Sequence, residues 1–322
     1  MFGRTLRLWT DKAAANRSVK GSRKAFMLTS THLLKQRRFA PLFATQLLNA
    51  FNDNLYKNAM VLFVVYSVYN SAAAETVFSG VASAVFILPF FLLSAMSGQL
   101  ADMRDKARII RIVKAAEIAI MTVGAAGLLL AWQGMMTELV AIPLMMVALL
   151  AMGVHSTFFG PIKYSILPQH LKREEVLAGT GLVEAGTYIA IMAGTVVAGF
   201  VSVQVAAVLV IVIALIGYVT SRQVPPAPPF AEGQPIDWHI LRSSIALVRN
   251  TMKNREVFYA IIAISFFWTI GAVLFIQFPP LAKNVLMASK EVASLFLVIF
   301  SVGVALGSVA INVLLKGTAV SF

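Results

Sequence analysis

The chain has 322 residues, 59% of them hydrophobic and 13% charged, with a net charge of +13 and no cysteine. Its apolar share is too high and its charged share too low for a soluble domain. The lack of cysteine excludes disulfide frameworks, thiolate metal sites and cysteine nucleophiles, and the four histidines (His32, His155, His170 and His239) show no ligand spacing, so no metal or cofactor is expected.

Residues 1–38 form a basic tail, with Arg4, Arg7, Lys12, Arg17, Lys20, Arg23, Lys24, Lys35, Arg37 and Arg38. The tail lacks the apolar stretch of a secretory signal and reads as a polybasic cytoplasmic segment. Hydrophobic stretches follow near 39–69, 75–100, 109–132, 138–160, 176–200, 203–221, 257–280 and 291–315. Roughly 20 residues rising 1.5 Å each cover a ~30 Å hydrocarbon core, so the expected fold is an all-α polytopic membrane protein with about eight spans. Lys and Arg sort by loop: they gather at Arg104 to Lys114, at Lys163, Lys172 and Arg173, and at Arg242 to Arg255, while the loops near Asn70, Gln133 and Ser202 carry none. The positive-inside rule then places both termini in the cytoplasm, and membrane lipids rather than nucleic acid account for the basic charge. Lys283 and Lys290 are a mild exception.

Residues 222–256 interrupt the spans. Pro225, Pro226, Pro228 and Pro229 predict a stiff extended element, and Leu241, Ile245, Val248 and Met252 then share one helical face while Arg242, Arg249 and Lys253 fall on others. That pattern predicts an amphipathic helix in the membrane interface. The organisation is therefore a tail (1–38), a six-helix half (39–221), a cytoplasmic linker (222–256) and a further membrane part (257–322). Six spans before a long cytoplasmic connector resembles the layout of a major facilitator transporter. Against that plan the chain comprises the first half and about two helices of the second, truncated by about four helices.

Polar groups at membrane depth are costly unless they pair or line a water-filled path, so they are the candidate functional residues. In the first span Gln46, Asn49, Asp53 and Lys57 recur at spacings of three and four, with Asn52 and Tyr56 alongside. The stripe either holds an internal Asp53–Lys57 ion pair or lines a cavity for a zwitterionic or cation-coupled substrate. Glu184 lies about ten residues into the fifth span, roughly 15 Å deep, among Gly179, Gly181, Gly186 and Gly194. It binds a cation or proton, or is a protonated carboxyl bonded to a neighbouring helix. Lys114 and Glu117 read as a structural pair, with Lys114 near enough to the cytoplasmic end to snorkel.

Gly98, Gln99, Leu100, Ala101 and Asp102, followed by Arg104, Lys106 and Arg108, are similar to the gating loop of major facilitator transporters, departing from it at Met103, Asp105 and Ala107. In that loop the Asp latches the inside gate against the other half. Ala50-Phe51-Asn52-Asp53-Asn54, the run Phe159-Gly160-Pro161-Ile162-Lys163-Tyr164-Ser165-Ile166-Leu167-Pro168, and Gly181 to Thr187 resemble the lysophospholipid transporter branch of the superfamily. The resemblance implies inward movement of lysophosphatidylethanolamine or lysophosphatidylglycerol across a bacterial inner membrane, with an acyltransferase domain or protein as a possible partner. Asp53 would then meet a headgroup ammonium or coupling cation, and Lys163, held in a turn by Pro161 and Pro168, the phosphate. The alternatives are a proton-coupled exporter of drugs or organic solutes, driven at Asp53 or Glu184, and a non-transporting scaffold. Acyltransferase activity of the chain itself is not expected, since no His is followed by Asp at the required spacing; His170 comes nearest, with Glu175.

Overall fold

A computed structural model describes residues 32–229 and 239–314. The long helices among the described residues are α1 (Ala40–Phe63, extended by a π turn at Val64–Val68), α2 (Ala72–Met103), α3 (Lys106–Trp132), α4 (Ile142–Ser165), α5 (Val176–Phe200), α6 (Val203–Ser221), α7 (Ile240–Thr251), α8 (Arg255–Asn284) and α9 (Lys290–Leu314). These elements match the expected stretches. Six helices are long and apolar enough to cross a membrane, namely α2 to α6 and α8. α1 is of similar length, 24 residues or ~36 Å, and its polar stripe keeps it out of that set.

α1 is central. It packs chiefly on α5 and α6, α2 packs on α4, and α3 bridges α4 and α6. Gly194 sets the α1–α5 approach, because a Cβ there would strike the Phe51 carbonyl and stand 3.0 Å from the Leu55 nitrogen. Gly181, in the same helix, is exposed and plays no such part.

Two details follow from proline chemistry. Pro161 leaves the α4 helix unbroken instead of starting a turn, and helix continues to Ser165. The ring removes the N–H that would have bonded the Thr157 carbonyl, and Ser97 Oγ of α2 donates to that carbonyl at 2.7 Å instead. After α6 the proline run has no regular secondary structure and lies against the bundle. The Ala227 N–H donates to Asp105 Oδ2 at 3.1 Å, the Ala227 carbonyl accepts from the Lys106 N–H at 3.0 Å, and Gln169 Nε2 donates to the Pro228 carbonyl at 2.8 Å.

Candidate functional site

The α1 stripe splits between two environments. Asn52 turns inward, donating to Glu117 Oε1 at 2.8 Å and to the Val210 carbonyl of α6 at 3.1 Å. Glu117 also pairs with Lys114 one helical turn away, both side chains fully buried, and lies 3.5 Å from His155 Nε2. Lys114 does not snorkel; it turns inward and donates to Asn49 Oδ1 at 3.3 Å. Asn49 Nδ2 in turn reaches Asp53 Oδ2 at 3.1 Å, and Ser156 Oγ donates to the same oxygen at 2.5 Å. His155 Nδ1 stands 3.3 Å from Ser156 Oγ, so the network closes across α1, α3 and α4.

Asp53 lies at the border of this network and a cavity of about 530 Å³ enclosed by α1, α2, α4, α5 and α8. Its polar wall carries Gln46, Asn49, Asp53, Lys57, Lys163 and Thr187. The opposing wall is apolar, with Phe86, Phe90, Ile191, Trp268 and Phe275. Lys163 donates to Thr187 Oγ1 at 3.2 Å, and Thr187 to Gln46 Oε1 at 2.9 Å. Two buried polar atoms on this wall, Asp53 Oδ1 and Gln46 Nε2, have no hydrogen-bond partner. Such atoms are costly to leave unsatisfied, and here they border a space where a ligand's polar group can reach them.

Asp53 and Lys57, which one of the two readings of the stripe pairs with each other, take other partners. Asp53 takes Ser156 and Asn49, while Lys57 Nζ sits over the Phe86 ring, 5.4 Å from its centroid. The i, i+4 spacing brings the two near each other, but α4 supplies Asp53 with a closer donor. Glu184 is exposed and outside the cavity, with the Tyr164 hydroxyl donating to Oε1 at 2.5 Å. Lys163 reaches the cavity from the last turn of α4, with Tyr164 beneath it at 5.0 Å. His155, Ser156 and Thr187 escaped sequence reasoning, although the His155-Ser156 dipeptide within an otherwise apolar span was a usable signal.

A profile of the Major Facilitator Superfamily matches residues 42–318. The chain belongs to that superfamily. Among curated members it is 24% identical to a "Lysophospholipid transporter LplT" of Citrobacter koseri over 237 residues, 72% of this chain and 54% of that protein. A protein of the same name from Photorhabdus laumondii is 28% identical over 56% of this chain and 41% of its own length, and one from Salmonella newport is 25% identical over 71% and 53%. The chain thus spans about half the length of the curated relatives it matches.

The stretch similar to the superfamily's gating loop falls at the α2–α3 junction. Asp102, Arg104 and Arg108 are exposed there, and Gly98 has open space around its α-carbon. Asp105, where the motif usually has Gly, caps α3 by accepting from the Arg108 N–H at 2.8 Å, and with its other oxygen holds Ala227. Nearby, Arg38 NH2 pairs with Glu175 at 2.8 Å and Arg38 NH1 donates to the His170 carbonyl at 3.1 Å, so Glu175 serves the tail rather than His170.

At the far end of this superfamily bundle the two exceptional lysines are used as helix caps. Lys283 Nζ of α8 donates to the Val65 and Tyr69 carbonyls at the end of α1, at 2.6 and 2.7 Å, and pairs with the buried Glu75 at 2.5 Å. Asn284 Nδ2 reaches the second oxygen of Glu75, also at 2.5 Å. Lys290 Nζ donates to the Val201 carbonyl, the C-cap of α5, at 2.8 Å. Cations at helix C-termini are favoured by the helix dipole, so their place at this end has a local cause.

Proposed function

We propose that the protein moves lysophospholipids by alternating access, lysophosphatidylethanolamine and lysophosphatidylglycerol being the substrates, from the outer leaflet to the cytoplasmic face of a bacterial inner membrane. One observation carries this reading: a single cavity presents a polar wall with the unpartnered Asp53 Oδ1 opposite an apolar wall of Phe86, Phe90, Trp268 and Phe275. A one-chain lipid has the same division, with an acyl tail for the aromatic wall and a headgroup for the polar one. Asp53 receives the headgroup ammonium, and Lys163 and Gln46 face the phosphate. The names of the curated relatives support the same substrate class. The loop-charge alternation supports a cytoplasmic N-terminus and places the Lys283 cluster on the outer face. The Lys283 and Lys290 contacts then close the outer end, and the cavity faces inward.

The test is uptake of labelled lysophosphatidylethanolamine into spheroplasts. A hydrogen bond to a charged group contributes ~1.5–3 kcal/mol, so Asp53→Asn lowers uptake roughly tenfold or more while folded yield is kept. Normal uptake by a well-folded Asp53→Asn protein overturns the assignment.

A second reading, a proton-coupled exporter of organic solutes, draws on the line from Asp53 through Ser156 to His155 and Glu117. Collapse of the pH gradient stops transport under that reading and leaves a purely substrate-driven lysolipid carrier running.

A further inference from the structure

The stretch that follows α6 reads Val224-Pro225-Pro226-Ala227-Pro228-Pro229. Proline has no backbone N–H, so from 225 to 229 the main chain can donate from Ala227 alone. That single donor is the one Asp105 Oδ2 takes, at 3.1 Å. The carbonyls of the strap are answered by the bundle as well. The Val224 carbonyl accepts from Arg111 NH2 at 3.2 Å, the Pro226 carbonyl lies 3.3 Å from His170 Nε2, and the Ala227 and Pro228 carbonyls accept from the Lys106 N–H and Gln169 Nε2 at 3.0 and 2.8 Å. Val224 and Ala227, three residues apart, are buried in one apolar cluster with Ala107, Ile110 and Leu167, while Pro226 and Pro228 are exposed. A three-residue period suits a proline-rich chain that lays one side on a surface.

The partners belong to different elements. Asp105 caps α3 and Lys106 and Arg111 lie in its first turns, Gln169 and His170 belong to the short helical turn Leu167–His170 after α4, and the strap itself leaves the end of α6. The strap therefore joins the ends of three helices on one side of the bundle. Asp105 stands where the superfamily's gating stretch usually has Gly, which has no side chain to hold Ala227. The bond is thus a property of this chain and not of the shared motif.

We propose that residues 224–229 are a clasp, closed by Asp105, that locks the ends of α3, α4 and α6 into one body, and that transport depends on the clasp being closed. A carrier that rocks one bundle against another needs each bundle to keep its shape. The part played in transport rests on the lipid-transport reading. The clasp itself does not.

Hydrogen exchange read by mass spectrometry tests the clasp without any substrate, because a peptide spanning the proline run carries one exchangeable amide there. In the purified chain the Ala227 amide should exchange several-fold more slowly than an unprotected amide at the same pH. D105S keeps an oxygen to cap α3 but has none left for Ala227, so it should speed that exchange several-fold while α3 stays protected. D105G should free the same amide and also fray the start of α3. Protection across α1 and α8 should not change in either variant, which separates release of the strap from loss of fold. Uptake of labelled lysophosphatidylethanolamine should fall several-fold in both. Asp53→Asn should lose uptake with Ala227 still protected, so the cavity and the clasp fail separately. An Ala227 amide that exchanges at the unprotected rate in the wild-type chain, or that stays protected in D105S, overturns the clasp. Normal uptake by D105S with the amide freed overturns its part in transport.

Discussion

α1 presents polar groups to two sides, and the two are finished differently. Toward α3, α4 and α6, Asn52 meets a fully buried set in which Lys114, Glu117 and His155 answer one another. Toward the cavity, Asp53 and Gln46 each keep one buried polar atom without a partner. The inner side also keeps buried atoms without a hydrogen-bond partner, Asn52 Oδ1 and Glu117 Oε2, but only those of Asp53 and Gln46 belong to residues lining the cavity, where a ligand can reach them. Depth in the membrane, the property that sequence reasoning relies on, is the same for both sides and does not separate the two roles. Contact with the cavity does.

The comparison can be broken most sharply at Glu117. Removing one partner of a buried ion pair costs about 3–5 kcal/mol, so Glu117→Leu should lower the melting temperature and the monodisperse yield in detergent, and Lys114→Met with Glu117→Leu should recover much of the loss. If the single variant melts with the wild type, the inner network is not structural. On the cavity side Lys163→Met should fold normally and weaken lysolipid uptake a few-fold, because Lys163 makes no ion pair, only a hydrogen bond to Thr187 and a contact with the Tyr164 ring. A large stability loss there would erase the distinction.

Lys283→Met should leave the centre of the bundle intact and loosen its far end. A cysteine introduced at the buried Ala282, in a chain with no native cysteine, should then react with a soluble maleimide several-fold faster. Unchanged reactivity would show that the Glu75 contacts do not hold that end. The smallest effect belongs to the rim. Burial alone would raise the Glu175 carboxyl, but the Lys172 N–H and Arg38 outweigh it and hold the group below its ordinary range. A depressed acid adds stability above its unfolded value of about 4.3, and loses it as pH falls through the folded value. Melting in acid should therefore show a shallow extra loss below about pH 4, which Arg38→Gln removes. Persistence of the slope in that variant assigns it to another carboxyl.

The span pattern was legible because hydropathy and length dictate it: each long apolar run became a helix near its expected limits. Site membership was legible only in part. Asp53, Asn49, Lys57 and Lys163 do reach one cavity, but helical spacing left an Asp53–Lys57 pair open as the alternative, and only packing shows that a hydroxyl on another helix serves Asp53. Asn52 shares the stripe yet turns to Glu117, because the stripe is wider than the cavity wall. Glu184 looked deep by residue count, but it is exposed, is not among the residues lining the cavity, and takes the Tyr164 hydroxyl. Inter-helix partners such as Ser156 and Thr187 carry no periodic signature, and only packing reveals them.

The Lys114–Glu117 pair has a consequence for how the protein is made. Both members sit on α3, three residues apart, so the ion pair can form within one helix without help from a neighbour. A lone Lys or Asp at mid-helix costs a nascent segment roughly 2.5–3.5 kcal/mol at the insertion machinery. α3 can instead leave the translocon already charge-neutral. α1, with Asn49 and Asn52, is made before it and α4, with His155, after it, so the inner network assembles around a pair that its own helix can supply.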